Sequence, residues 1–161
     1  MSAPAARSGD PASGTLAPDA VAGRAAARLA RVVENALTEV DLSLPQYRML
    51  AFLEELGSSA ASALAGKLGV SRPSVTALVD GLVARGLAER TADTTDRRRV
   101  AHVITPKGRD ALAAADRAVT SRLDGMAEKI EDPSDREVAY AGLALWLGAM
   151  NAAREEKLAD Q

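Results

Sequence analysis

Apolar positions along the chain change rhythm four times. From Asp19 to about Val40, residues Leu29, Val32, Val33, Ala36, Leu37 and Val40 recur at helical spacing, with Arg24, Arg28 and Arg31 on the polar side. Ser43, Leu44 and Pro45 open a second helix that carries Met49, Leu50, Leu53 and Leu56 and stops at Gly57. Leu64 and Leu68 share one face of a short third helix, and Gly69 suits the left-handed position that ends it. Ser71 is an N-cap for a fourth helix, with Pro73 in its first turn, where a missing N–H is harmless. Val75, Leu78, Val79, Leu82 and Val83 form the apolar stripe of that helix, and Arg72, Ser74, Thr76, Ala77 and Asp80 lie opposite. After Gly86 the pattern turns β-prone. Leu87–Ala92 and Arg99–Ile104 read as a hairpin joined at Asp93-Thr94-Thr95-Asp96, and Ser58 and Ser59 offer a short third strand.

Thr105 and Pro106 then cap and start a long helix. Its Leu112, Val119, Leu123, Met126 and Ile130 keep a heptad-like seam. Asp132-Pro133 starts the last helix, whose run from Val138 to Met150 carries no charge. That run is too short for a bilayer and apolar all round, so it should be covered on more than one side. A chain of 161 residues has little interior to spare. The reading is a dimer whose interface includes Leu112, Val119, Leu123, Leu145 and Trp146; the other reading is the core of a single chain.

The predicted fold is mainly α with a small β-hairpin wing: a winged helix-turn-helix plus a helical dimerisation region. Residues 43–105 form the winged helix-turn-helix, 19–42 and 106–157 the dimerisation region, and 1–18, rich in Ala, Pro, Ser and Gly, a flexible tail.

Net charge is −2, but its distribution is uneven. Residues 67–109 hold nine Lys or Arg against four Asp or Glu, while the rest holds eleven against eighteen. Positive charge therefore gathers where the fourth helix and the hairpin lie, the footprint of a DNA-binding face on an acidic body. Arg97, Arg98 and Arg99 at the hairpin tip suit phosphate contact or minor-groove insertion. Arg72, Pro73, Ser74, Thr76 and Ala77, short side chains with one Arg at the start, are the candidates for a face that enters a major groove. Ser71 caps the helix and can also contact DNA. Arg85 and Arg90 read equally as phosphate contacts or as ordinary surface.

Several chemistries are excluded. Without Cys there is no disulfide, thiolate metal site or cysteine redox sensing, and one His, His102, builds no multi-histidine metal site. No cofactor or catalytic motif is present, so no enzyme is expected. His102 reads as a partly buried structural residue. Aromatics make up 2% of the chain, too few to stack on single-stranded bases. No stretch suits a membrane span or a signal peptide, so a bacterial, cytoplasmic protein is expected.

The region resembles the winged helix-turn-helix of the MarR family of bacterial transcriptional regulators. The resemblance rests on Leu64-Ala65, Leu68-Gly69-Val70-Ser71, Ser74-Val75-Thr76, Leu82-Val83, Arg85-Gly86-Leu87, Glu89-Arg90, Asp96-Arg97-Arg98 and Thr105-Pro106-Lys107-Gly108. The Asp-Arg-Arg wing followed by a Thr-x-x-Gly helix start is its most specific part. The resemblance implies a homodimeric regulator, a repressor by expectation, bound to a pseudo-palindromic double-stranded DNA operator. It also implies that Arg98 enters the minor groove, oriented by Asp96. A small aromatic or phenolic effector is expected in a pocket, for which Arg24, Tyr47, Arg48 and Phe52 are candidates; Tyr47 and Phe52 read equally as core. The family's peroxide-sensing branch, which needs a reactive Cys, is excluded. Two other readings are a winged-helix protein-interaction module without an operator and a non-specific architectural DNA binder.

Overall fold

A computed structural model of the chain describes residues 18–92 and 100–159. The chain divides into two compact units, residues 1–31 and 32–161. The described part of the first is helical, belonging to helix α1 (Pro18–Thr38), and from Ala20 to Arg31 its residues are exposed except for half-buried Leu29. The expected N-terminal tail, apart from Pro18, lies outside the described residues.

The second unit continues through α2 (Leu44–Leu56), β1 (Ser59–Ala60), α3 (Ala61–Leu68), α4 (Arg72–Ala84), β2 (Ala88–Ala92), β3 (Val100–Ile104), α5 (Pro106–Ala127) and α6 (Pro133–Ala159). The strands form one antiparallel sheet in the order β1-β3-β2, with Ser59 opposite His102 and Arg90 also opposite His102 on the other side. This is the expected mainly α fold with a small wing, and every predicted element is present.

Local chemistry sets the boundaries. Ser43 closes a capping box on α2, accepting from the Gln46 N–H at 3.3 Å while the Gln46 side chain accepts from the Ser43 N–H at 3.0 Å. Gly69 adopts φ 68°, ψ 31°, and its N–H reaches the Ala65 carbonyl at 2.9 Å, which makes the tight turn between α3 and α4. Asp132 accepts from both the N–H and the hydroxyl of Ser134 at 2.8 Å, starting α6 as its position before Pro133 foretold.

Two helices end earlier than their apolar rhythm suggests. The first stops at Thr38 because the chain turns through Asp41, at φ 55°, and the Leu42 N–H folds back to the Leu37 carbonyl at 3.0 Å. α5 stops at Ala127; tight bonds from Lys129 to Met126 and from Ile130 to Ala127 replace the α pattern.

The core gathers Leu37, Met49, Leu50, Leu53, Leu64, Val75, Val79 and Leu82, each essentially fully buried, from α1, α2, α3 and α4. α5 contributes Leu112 and Ala115. Of the expected interface residues, Leu112 is only 9% exposed in the single chain, where the first half of α5 packs on α2. Val119 is partly buried against the same core and Leu123 is half-buried. α6 behaves differently. Leu145 is 75% exposed and Trp146 67%, and Val138, Leu143, Leu147 and Met150 are exposed with them. The uncharged run is therefore not the core of the chain.

One joint ties α4 and β2 to α5. The Thr105 hydroxyl accepts from the Gly108 N–H at 3.0 Å and donates to the Gly86 carbonyl at 2.7 Å. The Thr105 N–H reaches the Leu87 carbonyl at 3.1 Å, and Lys107 donates to the Arg85 carbonyl at 2.7 Å. Gly108 lies so close that a Cβ on it would sit 2.0 Å from the Leu87 carbonyl oxygen. The Thr-x-x-Gly motif is thus a seat for the turn that follows α4.

His102 is 7% exposed on the central strand, and its Nδ1 donates to the Ser59 carbonyl at 3.3 Å. Burial lowers its pKa, outweighing the opposite effect of that bond. The unfolded chain then binds the proton more readily, so stability should fall as pH drops below about 6.5. His102→Gln is expected to flatten this dependence between about pH 6.5 and 5 in denaturant titrations. An identical pH slope in the variant would assign the dependence to other groups.

Candidate nucleic-acid interface

α4 is positioned by its own amphipathicity. Val75, Val79 and Leu82 anchor it in the core, so Ser71, Arg72, Pro73, Ser74, Thr76 and Ala77 are all exposed. These are the expected major-groove residues, and they form one surface around the helix's first two turns. The hydroxyls among them are partly committed. Ser71 accepts from the Ser74 N–H at 3.3 Å, its oxygen lies 2.9 Å from the Ser74 hydroxyl, and Thr76 donates to the Arg72 carbonyl at 3.1 Å. Each keeps lone-pair capacity for an incoming donor. Arg72, at the N-terminal end, has a guanidinium suited to a phosphate or a guanine edge.

Beside α4 stands the wing formed by β2 and β3. Its tip, with Asp96, Arg97, Arg98 and Arg99, lies outside the described residues.

The two isolated arginines that sequence reading left open are both paired. Arg85 donates to Asp41 at 3.1 Å, which ties the end of α4 to the turn after α1. Arg90 of β2 forms an ion pair with Asp80 of α4. Sequence reading placed Asp80 on the outward side of the helix but gave it no role. The available signal was the opposite charge ten residues on, across a helix-to-strand turn.

The expected pocket residues are divided between the two units. Arg24 belongs to the first and is exposed there. In the second, Tyr47 donates to Asp116 on α5 at 2.6 Å, and Arg48 donates to the Leu68 carbonyl at 3.3 Å. Burial, reinforced by Asp116, raises the Tyr47 phenol well above its usual range. Phe52 is 8% exposed, and the Arg154 guanidinium of α6 lies 4.9 Å from its ring centroid. Each of these three side chains has a partner within the fold. Neither Asp116 nor Arg154 was singled out from sequence. A bond that spans 69 residues leaves no local pattern to read.

Among the described residues, no group of three or more His, Asp or Glu is placed to hold a metal ion, and no helix is long and apolar enough to cross a membrane.

Comparison with known proteins agrees with this geometry. The MarR family model matches residues 40–99, from the turn before α2 to the wing. The HTH-type transcriptional regulator YfiV of Bacillus subtilis is 27% identical over 118 residues, covering 73% of each chain. The structure of the transcriptional repressor CouR, bound to a 23-mer DNA duplex, is 27% identical with a TM-score of 0.66, covering 81% of this chain and 92% of that one. MarR from E. coli, without ligand, shares the fold at a TM-score of 0.71 and 19% identity, covering 82% of this chain and 96% of its own. With the turn, the outward face of α4 and the wing strands in place, the chain carries a winged helix-turn-helix whose residues 40–99 match the MarR family of transcriptional regulators.

Proposed function

We propose that the chain is a homodimeric, sequence-specific repressor that reads a pseudo-palindromic operator in double-stranded DNA. The observation that carries the reading is the exposed surface of α4: Arg72, Ser74, Thr76 and Ala77 face outward while Val75, Val79 and Leu82 hold the helix from behind. The DNA-bound repressor CouR, similar in fold and sequence, supports it. The exposed apolar residues of α6 support a second copy as their cover, since a patch of that kind rarely stays open to water. Two copies would set their α4 helices into successive major grooves, about 34 Å apart, and the wings into the flanking minor grooves. A regulator of this kind needs no catalytic group and works in the cytoplasm.

Release from DNA by a small aromatic or phenolic ligand belongs to the same proposal and rests on family resemblance. Tyr47 is partly exposed and can line such a site as it stands, whereas Phe52 is 8% exposed and packs in the core. Any effector must bind one spacing of the two heads better than another.

The test is a mobility shift with DNA upstream of the chain's own gene, at about 150 mM salt and with excess competitor. A discrete complex that survives competition is expected. Loss of the complex to competitor would leave a non-specific binder, and no complex at all would leave a protein-interaction module. In the same assay Arg98→Ala should weaken binding about tenfold to hundredfold while the dimer persists. Unchanged affinity would remove the wing tip from recognition.

A further inference from the structure

Arg90 sits midway along β2, and its guanidinium pairs with the carboxylate of Asp80, on the third turn of α4. Both side chains are about half exposed, at 48% and 53%. An ion pair this wet contributes little to stability. What it does is join two parts of the molecule that sequence separates and DNA would bring together: the groove-reading helix and the wing. Behind Arg90, directly across the ladder, lies His102, whose ring is bonded to Ser59 of β1. A chain of contacts therefore runs from α4 through β2 and β3 to β1.

Arg90 had two readings from sequence, phosphate contact and plain surface. Neither fits this arrangement. A guanidinium already held by a carboxylate has less to offer a phosphate.

We propose that Arg90 is a positioning residue: through its ion pair with Asp80 it sets the angle of the wing relative to α4, so that both reach one duplex together. The proposal rests on the DNA-reading function above. It places the effect of Arg90 in geometry. A small error in the relative placement of two contact elements weakens a two-point grip although each element stays intact.

The experiment measures binding of the full chain to its own upstream duplex over a salt series from about 50 to 300 mM. The proteins are wild type, Asp80→Asn, Arg90→Gln, the double variant, and the exchange of charges by Asp80→Arg with Arg90→Asp. Each single substitution should weaken binding roughly tenfold, the double no more than either single, and the exchange should recover most of the loss. The dependence of log K on log salt should keep the wild-type slope, and melting midpoints should move by less than about 2 °C.

A slope reduced by about 0.9 in Arg90→Gln, with Asp80→Asn binding as well as wild type or better, would make Arg90 a phosphate contact and overturn the proposal. Additive losses, or no loss, would also overturn it. A loss of affinity that tracks a loss of melting temperature would reduce the pair to a fold-stabilising one. Wild type that binds no duplex would instead defeat the DNA-reading function, and the proposal with it.

Discussion

Gly108→Ala is expected to destabilise the fold by about 3 kcal/mol, lowering the thermal midpoint by about 6–12 °C at fixed protein concentration. The new methyl carbon would stand 2.0 Å from the Leu87 carbonyl oxygen, 2.8 Å from Cγ1 of Ile104 and 3.0 Å from the Leu87 carbonyl carbon. Two of these three are backbone atoms, so no rotamer change relieves them. The turn after α4 must move away from α5. That carbonyl oxygen accepts from the Thr105 N–H, and Thr105 and Lys107 hold the neighbouring carbonyls of Gly86 and Arg85. One displacement therefore strains three contacts at once. Gly125→Ala is the control, because a Cβ there meets nothing within 4 Å, and alanine is the better helix former. Circular dichroism melts of the two variants decide the matter. A wild-type midpoint for Gly108→Ala would mean that the turn and α5 are not locked together.

Leu145→Asp should raise the dissociation constant of the dimer at least about 100-fold, because burial of an unpaired carboxylate costs several kcal/mol and a two-fold interface takes the substitution twice. Within the single chain Leu145 is 75% exposed, so the same change should leave helix content intact. That combination separates an interface residue from a core residue. Sedimentation equilibrium reads the first effect and far-ultraviolet circular dichroism the second. DNA affinity should fall with the dimer, since one head alone makes half the contacts. A variant that stays dimeric at the wild-type concentration would mean that α6 does not form the interface. A variant that unfolds would return the run from Val138 to Met150 to the core of the chain.

Much of the fold was legible because its signals are local. The Ser43 cap, the Gly69 turn, the Ser71 cap and the Thr105-Pro106 start are each decided within four residues, and all stand where the pattern puts them. The buried stripe of α4 was equally plain, and with it the exposed surface opposite. The site is legible to the same depth. Which residues of α4 face outward follows from helical period, but what Arg85 and Arg90 do does not. Both found carboxylates, one 44 residues back and one ten.

Leu112 marks the boundary between the two kinds of information. Sequence alone determined that it lies on an apolar seam with Val119 and Leu123, because spacing along a helix sets which side chains share a face. Only tertiary structure decided that the seam divides, with Leu112 enclosed against α2 while Leu145 and Trp146 of α6 stay open. The same holds for Gly108, whose place in a motif was visible while its reason, the Leu87 carbonyl, was not. Helical period and caps depend on neighbours within a turn of chain. Burial and ion pairing depend on which distant segment arrives alongside, and the hydrophobic effect that brings segments together has no direction and names no partner in advance.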